Sequence, residues 1–413
     1  MFKRITGTKD ILPGEVSAWQ RIEEIARNTF PLYNYKEIRL PLIEEAALFN
    51  RSLGEEAEVV KKQMFLIQRD HDTLALRPEA TASVVRSYIE NSLDKVQGFA
   101  KFYYIGAMFR AERPQRGRLR QFHHIGCEAI GSAQPQLDAE IISLADKLLK
   151  NFSVSGHRIR INSLGCPDDK KKLTQILKKS LGDNTSKLCQ DCQERFQGNI
   201  LRILDCKNES CKEIVAKLDI GQKHLCGACL GHFNQVTTVL DMLGVEYIVD
   251  DHLVRGLDYY TRTVFEISHP GLGAQDAIGA GGRYDNLVKQ LGGSDQPAVG
   301  FAFGVERVLL VSADKVQGVS DKLVYIIPLG EEARQESMIL LNELRQQGIC
   351  ADTDYLGKSL KGAMRQADSM GVKYAVIIGD NELKNKTVML KNMKSGEQKE
   401  LGRTALVKEL SGN

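Results

Sequence analysis

Several features are missing from this sequence, and each absence excludes a class of protein. No stretch approaches the roughly 18 consecutive apolar residues of a membrane-spanning helix, so no membrane association is expected. The N-terminus, MFKRITGTKDILPGE, is charged and has no apolar core segment, so no secretory signal is expected there. We find no short-period repeat and no low-complexity tract. These absences predict a globular cytoplasmic protein.

The chain also lacks a strong charge of either sign. Lysine and arginine total 56 and aspartate and glutamate 53, which leaves a net charge of +3. Such a balance gives no general attraction to nucleic acid, so any anion-binding site must be a local patch. The 413 residues are too many for one ordinary core, which predicts two or three domains.

In a cytoplasmic protein, nine cysteines are expected to be thiols or metal ligands rather than disulfides. Six of them occur as pairs in a lysine-rich segment that runs from about Cys166 to His232. This segment has none of the strand–turn–strand rhythm of its neighbours. We interpret it as a helical insertion covering residues 166–235.

Two Cys-x-x-Cys pairs in this insertion, CQDC and CGAC, can supply four thiolates to a tetrahedral Zn²⁺. The predicted ligands are Cys189, Cys192, Cys226 and Cys229. Four thiolates leave no open position on the metal, so its role would be structural. A looser pair, Cys206 and Cys211, lies between the two. The alternative is that small reduced thiols fill the core of the insertion.

Hydrophobic periodicity predicts the main elements before the insertion. Apolar residues at helical spacing predict a helix from about Glu15 to Phe30. The extended run YKEIRLPLIEE contains Pro41, which favours an edge or an interface over a central strand. Strand-like runs at 100–109 and 121–130 flank an arginine-rich loop and predict a hairpin.

A different pattern begins near residue 323, where buried strands alternate with helices. Such alternation indicates a small α/β domain. The polar stretch SADKVQGVSDK separates it from the rest of the chain. We therefore expect one domain over residues 1–320 and a second over residues 323–413.

The hairpin loop, FRAERPQRGRLRQFHH, contains five arginines within eleven positions. Arginine forks match the geometry of phosphate and carboxylate groups, and arginine keeps its charge at any working pH. A strand–loop–strand of this kind can grip a strongly anionic ligand. A solvated surface hairpin has the same composition, so the loop alone leaves both interpretations open.

Four further segments carry residues that can bind a charged ligand, and each also has an ordinary structural interpretation. Arg307 in GVERVLL can face a phosphate from a helix start or simply be exposed. RGLDYYTRTVFE joins Arg255 to an acid and two tyrosines, which can also pack as core. The glycines of GAGGRYD allow close approach to a ligand or a bend in a sheet. Glu79 in LRPEATA can hold an ammonium group or complement a helix dipole.

Taken together and in this order, the segments resemble the class II aminoacyl-tRNA synthetases. FRAERPQRGRLRQFHH resembles motif 2 of that class, GFAFGVERVLL motif 3, and RLPLIE, with Pro41, motif 1. RGLDYYTRTVFE and GGRYD are similar to the two signatures that mark histidyl-tRNA synthetases within it, and TGTKDILP fits as well. The resemblance implies an α+β fold: an antiparallel-sheet catalytic core with helices, a helical insertion, and a C-terminal mixed α/β anticodon-binding domain. It also implies a homodimer formed through motif 1.

The resemblance implies that L-histidine and ATP, with Mg²⁺, form histidyl-adenylate, and that the histidyl group passes to the 3′ end of tRNA(His). Arg110, Arg255 and Arg307 would be catalytic, because positive charge must stabilise the developing pentavalent phosphate. The implied ATP-binding residues are these three arginines with Glu112 and Phe122, the latter by stacking on adenine. The implied residues facing the tRNA acceptor end are Gln115, Arg116 and Arg118.

For histidine, the resemblance implies that Glu128 accepts from the imidazole and Tyr260 completes the pair. The other implied histidine-binding residues are Glu79, Thr81, Arg110, His124, Arg255, Tyr259 and Tyr284. Glu79 and Thr81 would receive the ammonium group, and Tyr284 would line the pocket. A site that pairs both ring nitrogens rejects other amino acids, because its buried polar groups would then be unpaired. His124 stands where the family usually has glutamine.

Two other functions compete with this interpretation. One is a histidine-binding regulatory paralogue that activates the ATP phosphoribosyltransferase of histidine biosynthesis. Such paralogues resemble the catalytic domain but typically lose the arginine equivalent to Arg255 and lack the anticodon-binding domain. The other is a nucleic-acid-binding zinc protein, which the cysteine pairs suggest but which leaves the pocket signatures unexplained.

Overall fold

The computed structural model describes residues 2–54, 57–96, 98–273, 275–313 and 323–411. The described chain forms two compact units, one of residues 2–11 and 18–313 and one of residues 12–17 and 323–411. The predicted domain boundary at residue 320 falls within 314–322, outside the described residues. In the part of the chain that the structure describes, no helix is both long and apolar enough to cross a membrane.

The strands alternate with helices along most of the chain. In chain order they are β1 (Lys36–Glu37), β2 (Ile43–Glu45), β3 (Phe65–Arg69), β4 (Asp72–Leu76), β5 (Ala100–Phe109), β6 (Gln121–Ile130), β7 (Arg158–Ser163), β8 (Ile248–Val249), β9 (Thr261–Ser268), β10 (Ala277–Arg283), β11 (Ala298–Gly304), β12 (Val324–Pro328), β13 (Ala351–Thr353), β14 (Tyr374–Ile378), β15 (Thr387–Asn392) and β16 (Gln398–Gly402).

The helices are α1 (Pro13–Thr29), α2 (Ala46–Leu53), α3 (Thr81–Glu90), α4 (Leu93–Val96), α5 (Pro135–Asn151), α6 (Pro167–Leu181), α7 (Gln190–Gln197), α8 (Glu209–Val215), α9 (Gly227–Met242), α10 (Leu287–Gln290), α11 (Val305–Val311), α12 (Glu331–Gln346), α13 (Leu360–Ser369), α14 (Asp380–Asn385) and α15 (Arg403–Ser411). Short 3₁₀ segments cover Phe30–Tyr33, Gly182–Lys187, Ile200–Ile203 and Pro270–Leu272, and a π-helical segment covers Val59–Gln63.

The larger unit is built on an eight-stranded sheet with the order β1-β5-β6-β11-β10-β9-β7-β8. Its six central strands pair antiparallel, and only the short edge strands β1 and β8 pair parallel. The predicted hairpin is confirmed, since β5 and β6 begin and end at the predicted residues. The antiparallel core expected for the fold class is therefore present.

Alternation along the strands separates the two faces of this sheet, because successive side chains of a strand point to opposite faces. Tyr103 and Phe265 lie in the core cluster that contains residues of α1, α5 and α9. Tyr104 and Val264, their sequence neighbours, lie in the cluster that contains residues of α2 and α3. The second face carries the functional pocket.

The proline-bearing segment lies at sheet edges, as its sequence predicts. Pro41 falls between β1, the edge strand of the large sheet, and β2, the edge strand of a three-stranded sheet with the order β2-β4-β3. Several apolar side chains of this small sheet are exposed, including Leu66 at 57% and Ile43 at 48%.

The lysine-rich insertion is helical, as predicted, and consists of α6, α7, α8 and α9 with short 3₁₀ segments between them. The predicted zinc ligands are wrong, because the two Cys-x-x-Cys pairs do not converge. Cys189 and Cys192 meet Cys206 and Cys211 at the start of α7. Cys226 and Cys229, at the start of α9, instead meet Cys166 and Asp169. Each pair opens a different helix, and the intervening chain brings different partners to each.

The smaller unit has a five-stranded mixed sheet with the order β13-β12-β14-β15-β16. Strands β13, β12 and β14 are parallel, and β15 and β16 form the predicted terminal hairpin. Leu340, Leu344 and Ile326 belong to one of its two hydrophobic clusters. The predicted α/β alternation is confirmed, and one short helix, α14, was not predicted.

Candidate active site

A cavity of about 330 Å³ opens on the second face of the large sheet, at the lower end of the usual range for small-molecule sites. Most of the residues singled out in the sequence line it. These are Glu79, Thr81, Arg110, Glu112, Arg118, Phe122, His124, Glu128, Arg255, Tyr259, Tyr260, Tyr284 and Arg307. Gln115 and Arg116 do not; they are exposed on the β5–β6 loop.

The arginines of the hairpin loop do not act as a single group. Arg110 lies against the pocket, where its Nε donates to the Pro78 carbonyl at 2.9 Å and its guanidinium lies 5.3 Å from the Phe122 ring centroid. Arg118 forms an ion pair with Glu112 at 3.2 Å. Arg120 instead donates to the carbonyl of Glu112. The loop therefore places Arg110 and Arg118 in the pocket wall, while the contacts of Arg118 and Arg120 with Glu112 hold its own shape.

Glu128, on β6, is the centre of a buried hydroxyl cluster. Its Oε1 accepts from the hydroxyls of Thr81 at 2.6 Å and Tyr104 at 3.2 Å, and its Oε2 accepts from Tyr284 at 2.5 Å. Burial raises the pKa of Glu128 from 4.5 to about 8, although the hydroxyl donors oppose this shift. The sheet leaves little room here: a Cβ on Gly300 would lie 1.8 Å from Oε2.

Glu79 holds the N-terminus of α3 from inside the same pocket. Its carboxylate accepts from the backbone amides of Thr81 at 2.7 Å and Ala82 at 2.9 Å. Burial raises the pKa of Glu79, while these two amide donors and the nearby Arg110 lower it. The side chain thus complements the helix dipole and lines the pocket at once.

His124 is a neutral residue of the pocket wall. Burial lowers its pKa from 6.5 to about 3, and the positive charges of Arg110 and Arg77 add to the effect. Its ring lies 5.0 Å from that of Phe122, edge to face. Its buried Nδ1 has no hydrogen-bond partner among the described residues. A neutral imidazole with an unpaired ring nitrogen can hydrogen-bond a ligand without repelling an ammonium group.

Arg255 lies on the loop before β9 and is held by Glu266 of that strand. Its Nη1 donates to Glu266 Oε2 at 2.5 Å, and the other oxygen of Glu266 accepts from Arg160. The Arg255 Nε is buried and has no partner within the described chain. Arg160 is also paired with Asp250, so Glu266 is the carboxylate that holds Arg255 at this wall of the pocket.

Arg307, on α11, uses most of its donors on backbone carbonyls. Its Nε donates to Gly117 in the hairpin loop, and its Nη1 donates to Gln275 and Ala277 at 2.8 and 2.6 Å. Its Nη2 is buried and unpartnered within the described residues. Because a buried donor without a partner costs free energy, this atom is suited to receive an anionic ligand.

Two residues that hold the pocket together were not assigned a role from the sequence. Arg77 is buried and donates to the carbonyls of Leu40 and Ala107, so it joins the proline-bearing segment to β5. Glu306 accepts from the backbone amide and ring of His123, which ties α11 to β6. Both lie inside motifs already noted, but only their distant partners reveal these contacts.

Both units of the chain match known protein families. The family profile of histidyl-tRNA synthetase matches residues 7–308, and that of the anticodon binding domain matches residues 323–413. The chain belongs to the histidyl-tRNA synthetase family.

Similarity to members of the histidyl-tRNA synthetase family extends over the whole chain. The histidine–tRNA ligase of Halothermothrix orenii is 45% identical over 98% of this chain and 97% of its own length. That of Thermotoga maritima is 44% identical over 97% of this chain and 96% of its own length. The apo histidyl-tRNA synthetase of S. aureus superposes with a TM-score of 0.82 at 35% identity, covering 99% of this chain and all of that one.

Membership of the histidyl-tRNA synthetase family agrees with the order of motifs along the chain. The arginine hairpin, the Arg255 loop and α11 all contribute to one pocket, and the profile match ends within α11. ATP and Mg²⁺ are typical of class II synthetases.

Proposed function

We propose that this protein activates L-histidine with ATP and transfers the histidyl group to the 3′ end of tRNA(His). The observation that carries the proposal is the position of Arg110. It contacts the Pro78 carbonyl next to Glu79 on one side and the Phe122 ring on the other. An arginine between a carboxylate-rich subsite and an aromatic wall suits a substrate that is cationic at one end and anionic at the other.

In the first step, an oxygen of the histidine carboxylate attacks the α-phosphorus of ATP. A new phosphorus–oxygen bond forms, and the bond to the β-phosphate oxygen breaks to release pyrophosphate. Two anions must approach each other, so positive charge placed in advance lowers the barrier. In our proposal Arg110 and Arg255 contact the α-phosphate from opposite sides, and Arg307 binds the γ-phosphate through its unpartnered Nη2.

The adenine is proposed to lie against the Phe122 ring. Phe122 and Glu112 both line the pocket, so the base could stack on the phenyl ring with Glu112 in the same cavity. Offset contact of two aromatic systems contributes binding free energy beyond the area that it buries. Glu112 carries an acceptor that can receive the exocyclic amino group of adenine.

Histidine selection is proposed to depend on Glu128 and Tyr260. A neutral imidazole presents one donor and one acceptor nitrogen, which a carboxylate and a phenol can pair. Tyr259 lies 4.6 Å from the Tyr260 ring and 5.5 Å from the Tyr284 ring, so the aromatic side chains form one wall. Glu79 and Thr81 would receive the ammonium group. Leaving such groups unpaired with another amino acid costs enough to reject it without editing.

Mg²⁺ is a hard cation that prefers carboxylate, phosphate and water oxygens. Two acidic residues that line the pocket lie in this region. Glu266 is on β9, and Asp276 directly precedes β10. Both oxygens of Glu266 already bond arginines, so Asp276 is the better suited to meet a nucleotide-bound ion. When bound, the ion would neutralise part of the phosphate charge.

In the second step, a hydroxyl of the terminal ribose of the tRNA attacks the carbonyl carbon of histidyl-adenylate, and AMP leaves. We propose that Gln115, Arg116 and Arg118 of the hairpin loop contact the acceptor end. Gln115 and Arg116 are exposed and free to meet a large partner. Residues 323–411 would bind the anticodon, in line with the profile that they match. We also infer a cytoplasmic location, where tRNA is charged.

We further infer that the protein is a homodimer through the segment around Pro41. The small sheet next to it exposes apolar side chains on β2 and β3, namely Ile43, Leu66 and Ile67. The register places Ile43 and Ile67 on one face of this sheet and Leu66 on the other, and exposed apolar side chains mark protein–protein contact surfaces. Sedimentation of the parent protein and of two variants tests this interface. A dimeric parent that Leu66→Glu converts to a monomer, and that the exposed control Met242→Glu leaves dimeric, would support it. A monomeric parent protein would exclude it.

The regulatory paralogue is the weaker alternative. It does not require the arginines equivalent to Arg110, Arg255 and Arg307, and all three line the pocket here. Nor does it require a domain that matches the anticodon-binding profile.

ATP–pyrophosphate exchange, measured with each of the twenty amino acids, tests the proposal. We expect exchange with histidine alone; no exchange with histidine, or comparable exchange with another amino acid, would refute it.

A further inference from the structure

The insertion contains a four-cysteine cluster that the spacing of its Cys-x-x-Cys pairs does not predict. Two of the thiols open α7, the third follows the 3₁₀ segment Ile200–Ile203, and the fourth lies on α8. Their four sulfur atoms all lie within 4.8 Å of one another. The members are Cys189, Cys192, Cys206 and Cys211, and all four are free thiols in the structure.

The distances within this cluster match those of a metal site. Zinc–sulfur bonds are about 2.3 Å, so the sulfurs of a tetrahedral Zn(Cys)₄ centre lie about 3.8 Å apart. The Sγ atoms of Cys189 and Cys206 are 3.8 Å apart. A disulfide would need about 2.0 Å. The observed distance therefore equals one edge of such a tetrahedron, and it is too long for a disulfide bond.

Backbone amides and one guanidinium point at three of the four sulfurs. The backbone amide of Cys189 points at the Cys211 Sγ at 3.2 Å, and that of Asn208 points at the Cys206 Sγ at 3.5 Å. The Arg195 guanidinium lies 4.0 Å from the Cys192 Sγ. Amide donors and a nearby cation stabilise the negative charge of metal-bound sulfurs.

The spacing of the four cysteines also fits. Cys189-x₂-Cys192 and Cys206-x₄-Cys211 both fall in the interval of two to four residues that is typical of structural zinc ligand pairs. The helices of this region are short: α7 has 8 residues and α8 has 7. Small segments with few core residues are commonly stabilised by a metal.

We propose that Cys189, Cys192, Cys206 and Cys211 bind one structural Zn²⁺ that fixes the insertion against the catalytic pocket. Four thiolates close the coordination sphere, so the ion takes no part in chemistry. The ion would affect the pocket only by fixing the positions of residues that line it. Arg195, beside the cluster, also donates to the Arg202 carbonyl, and the side chain of Arg202 lines the pocket.

A second contact leads from the cluster to the same pocket. Asn199, on the chain between Cys192 and Cys206, donates to Asp258 Oδ1 at 2.7 Å. Asp258 belongs to the loop that carries Arg255 and the two adjacent tyrosines. Loss of the ion would therefore loosen the support of this loop, and we expect both a higher KM for histidine and a lower kcat.

The other cysteine cluster is a matched control within the same insertion. Cys166, Cys226 and Cys229 surround Asp169, whose two oxygens accept from the amides of Cys226 at 3.0 Å and Cys166 at 3.4 Å. This network caps α6 and satisfies the buried carboxylate without a metal. A metal bound there would have three sulfur ligands and one oxygen ligand, which distinguishes it from the proposed centre.

The test is elemental analysis of reduced protein purified without chelator. We expect about one zinc per chain, lost in the Cys206→Ser, Cys211→Ser variant and retained in the Cys226→Ser, Cys229→Ser variant. Zinc below about a tenth of an equivalent in the parent protein after incubation with Zn²⁺, or zinc retained by the first variant and lost by the second, would overturn the proposal.

X-ray absorption at the zinc edge keeps the proposal testable if the first variant fails to fold. Four sulfur neighbours at about 2.3 Å around the ion of the parent protein would support the Cys₄ centre. Three sulfurs and one oxygen would place the ion at the Asp169 cluster and overturn it. Thiol titration in denaturant without reductant gives a further outcome: four missing thiols would indicate two disulfides and also overturn it.

Discussion

The Tyr284 hydroxyl donates a hydrogen bond to Oε2 of Glu128 at 2.5 Å, in a pocket where both side chains are buried. Strand β10 ends just before Tyr284, and Glu128 lies on β6, so the bond spans β11 between them. Its hydrogen stabilises the carboxylate against the effect of burial. The protonation state of Glu128 in the proposed histidine subsite therefore depends on this hydrogen bond.

Tyr284→Phe should move the pH dependence of histidine binding upward. Burial raises the pKa of Glu128 to about 8, and the Tyr284 hydroxyl limits this rise. If the ionised carboxylate accepts the imidazole N–H, the KM for histidine should fall as pH rises through the pKa of Glu128. In the variant this fall should occur at a higher pH. The KM measured across pH, with Tyr247→Phe as a control at a partly buried tyrosine outside the pocket, checks this. Coincident profiles for parent and Tyr284→Phe would contradict it.

Glu128→Gln should raise thermal stability at high pH. Burial raises the pKa of Glu128 from 4.5 to about 8, so between these values the folded protein binds more protons than the unfolded chain. Stability is therefore lost as pH rises through this window. We expect the Tm of the variant to exceed that of the parent at about pH 8.5, and the difference to shrink at about pH 5. A constant difference at both pH values would argue against this account.

The same Glu128→Gln variant should weaken histidine recognition. Above about pH 8, where Glu128 is ionised, loss of a charge-assisted hydrogen bond costs about 1.5–3 kcal/mol, or roughly 10–100-fold in the KM for histidine. The KM for ATP should change little. Equal effects on both substrates would indicate a general disturbance of the pocket instead.

Arg255→Ala should lower the rate of adenylate formation far more than it weakens histidine binding. The charge matters most when negative charge develops on the α-phosphate, and loss of one such donor costs roughly 10²–10³ in kcat. Pyrophosphate exchange and calorimetric histidine binding separate the two effects. Arg158→Ala, an exposed arginine on the neighbouring β7, is the control. Near-normal turnover of Arg255→Ala would mean that the charge comes from elsewhere.

His124→Gln should retain activity and leave its pH profile unchanged. His124 has a pKa of about 3 because of burial and the nearby arginines, so it stays neutral throughout the working range. Glutamine offers the same neutral hydrogen-bonding capacity. We expect histidine exchange within a few-fold of the parent protein, and superimposable profiles from about pH 6 to 8. A titration near pH 6.5 that disappears in the variant would contradict a neutral His124.

Deletion of residues 323–413 should leave histidine activation partly intact and largely abolish tRNA charging. This part of the chain has its own hydrophobic clusters, so the pocket does not draw its core from it. Pyrophosphate exchange and aminoacylation should be measured on the same preparation. Unchanged charging efficiency would exclude the proposed anticodon role.

The sequence by itself determined most of the elements and the order of the motifs. The limits of β5 and β6 follow from the apolar–polar pattern of their own residues, and the α/β alternation after residue 323 is equally local. A resemblance carried by five ordered motifs also identified the family. Patterns within ten or twenty residues are enough for such predictions, because hydrophobic periodicity and turn chemistry act over that distance.

Only the tertiary structure decided which distant residues meet. The spacing of the Cys-x-x-Cys pairs could not reveal that Cys192 meets Cys211 rather than Cys226, since the path of the helices between them sets the partners. The raised pKa of Glu128 likewise depends on burial and on hydroxyls from α3, β5 and the end of β10. Burial and long-range contact are properties of the folded chain, and no local pattern encodes them.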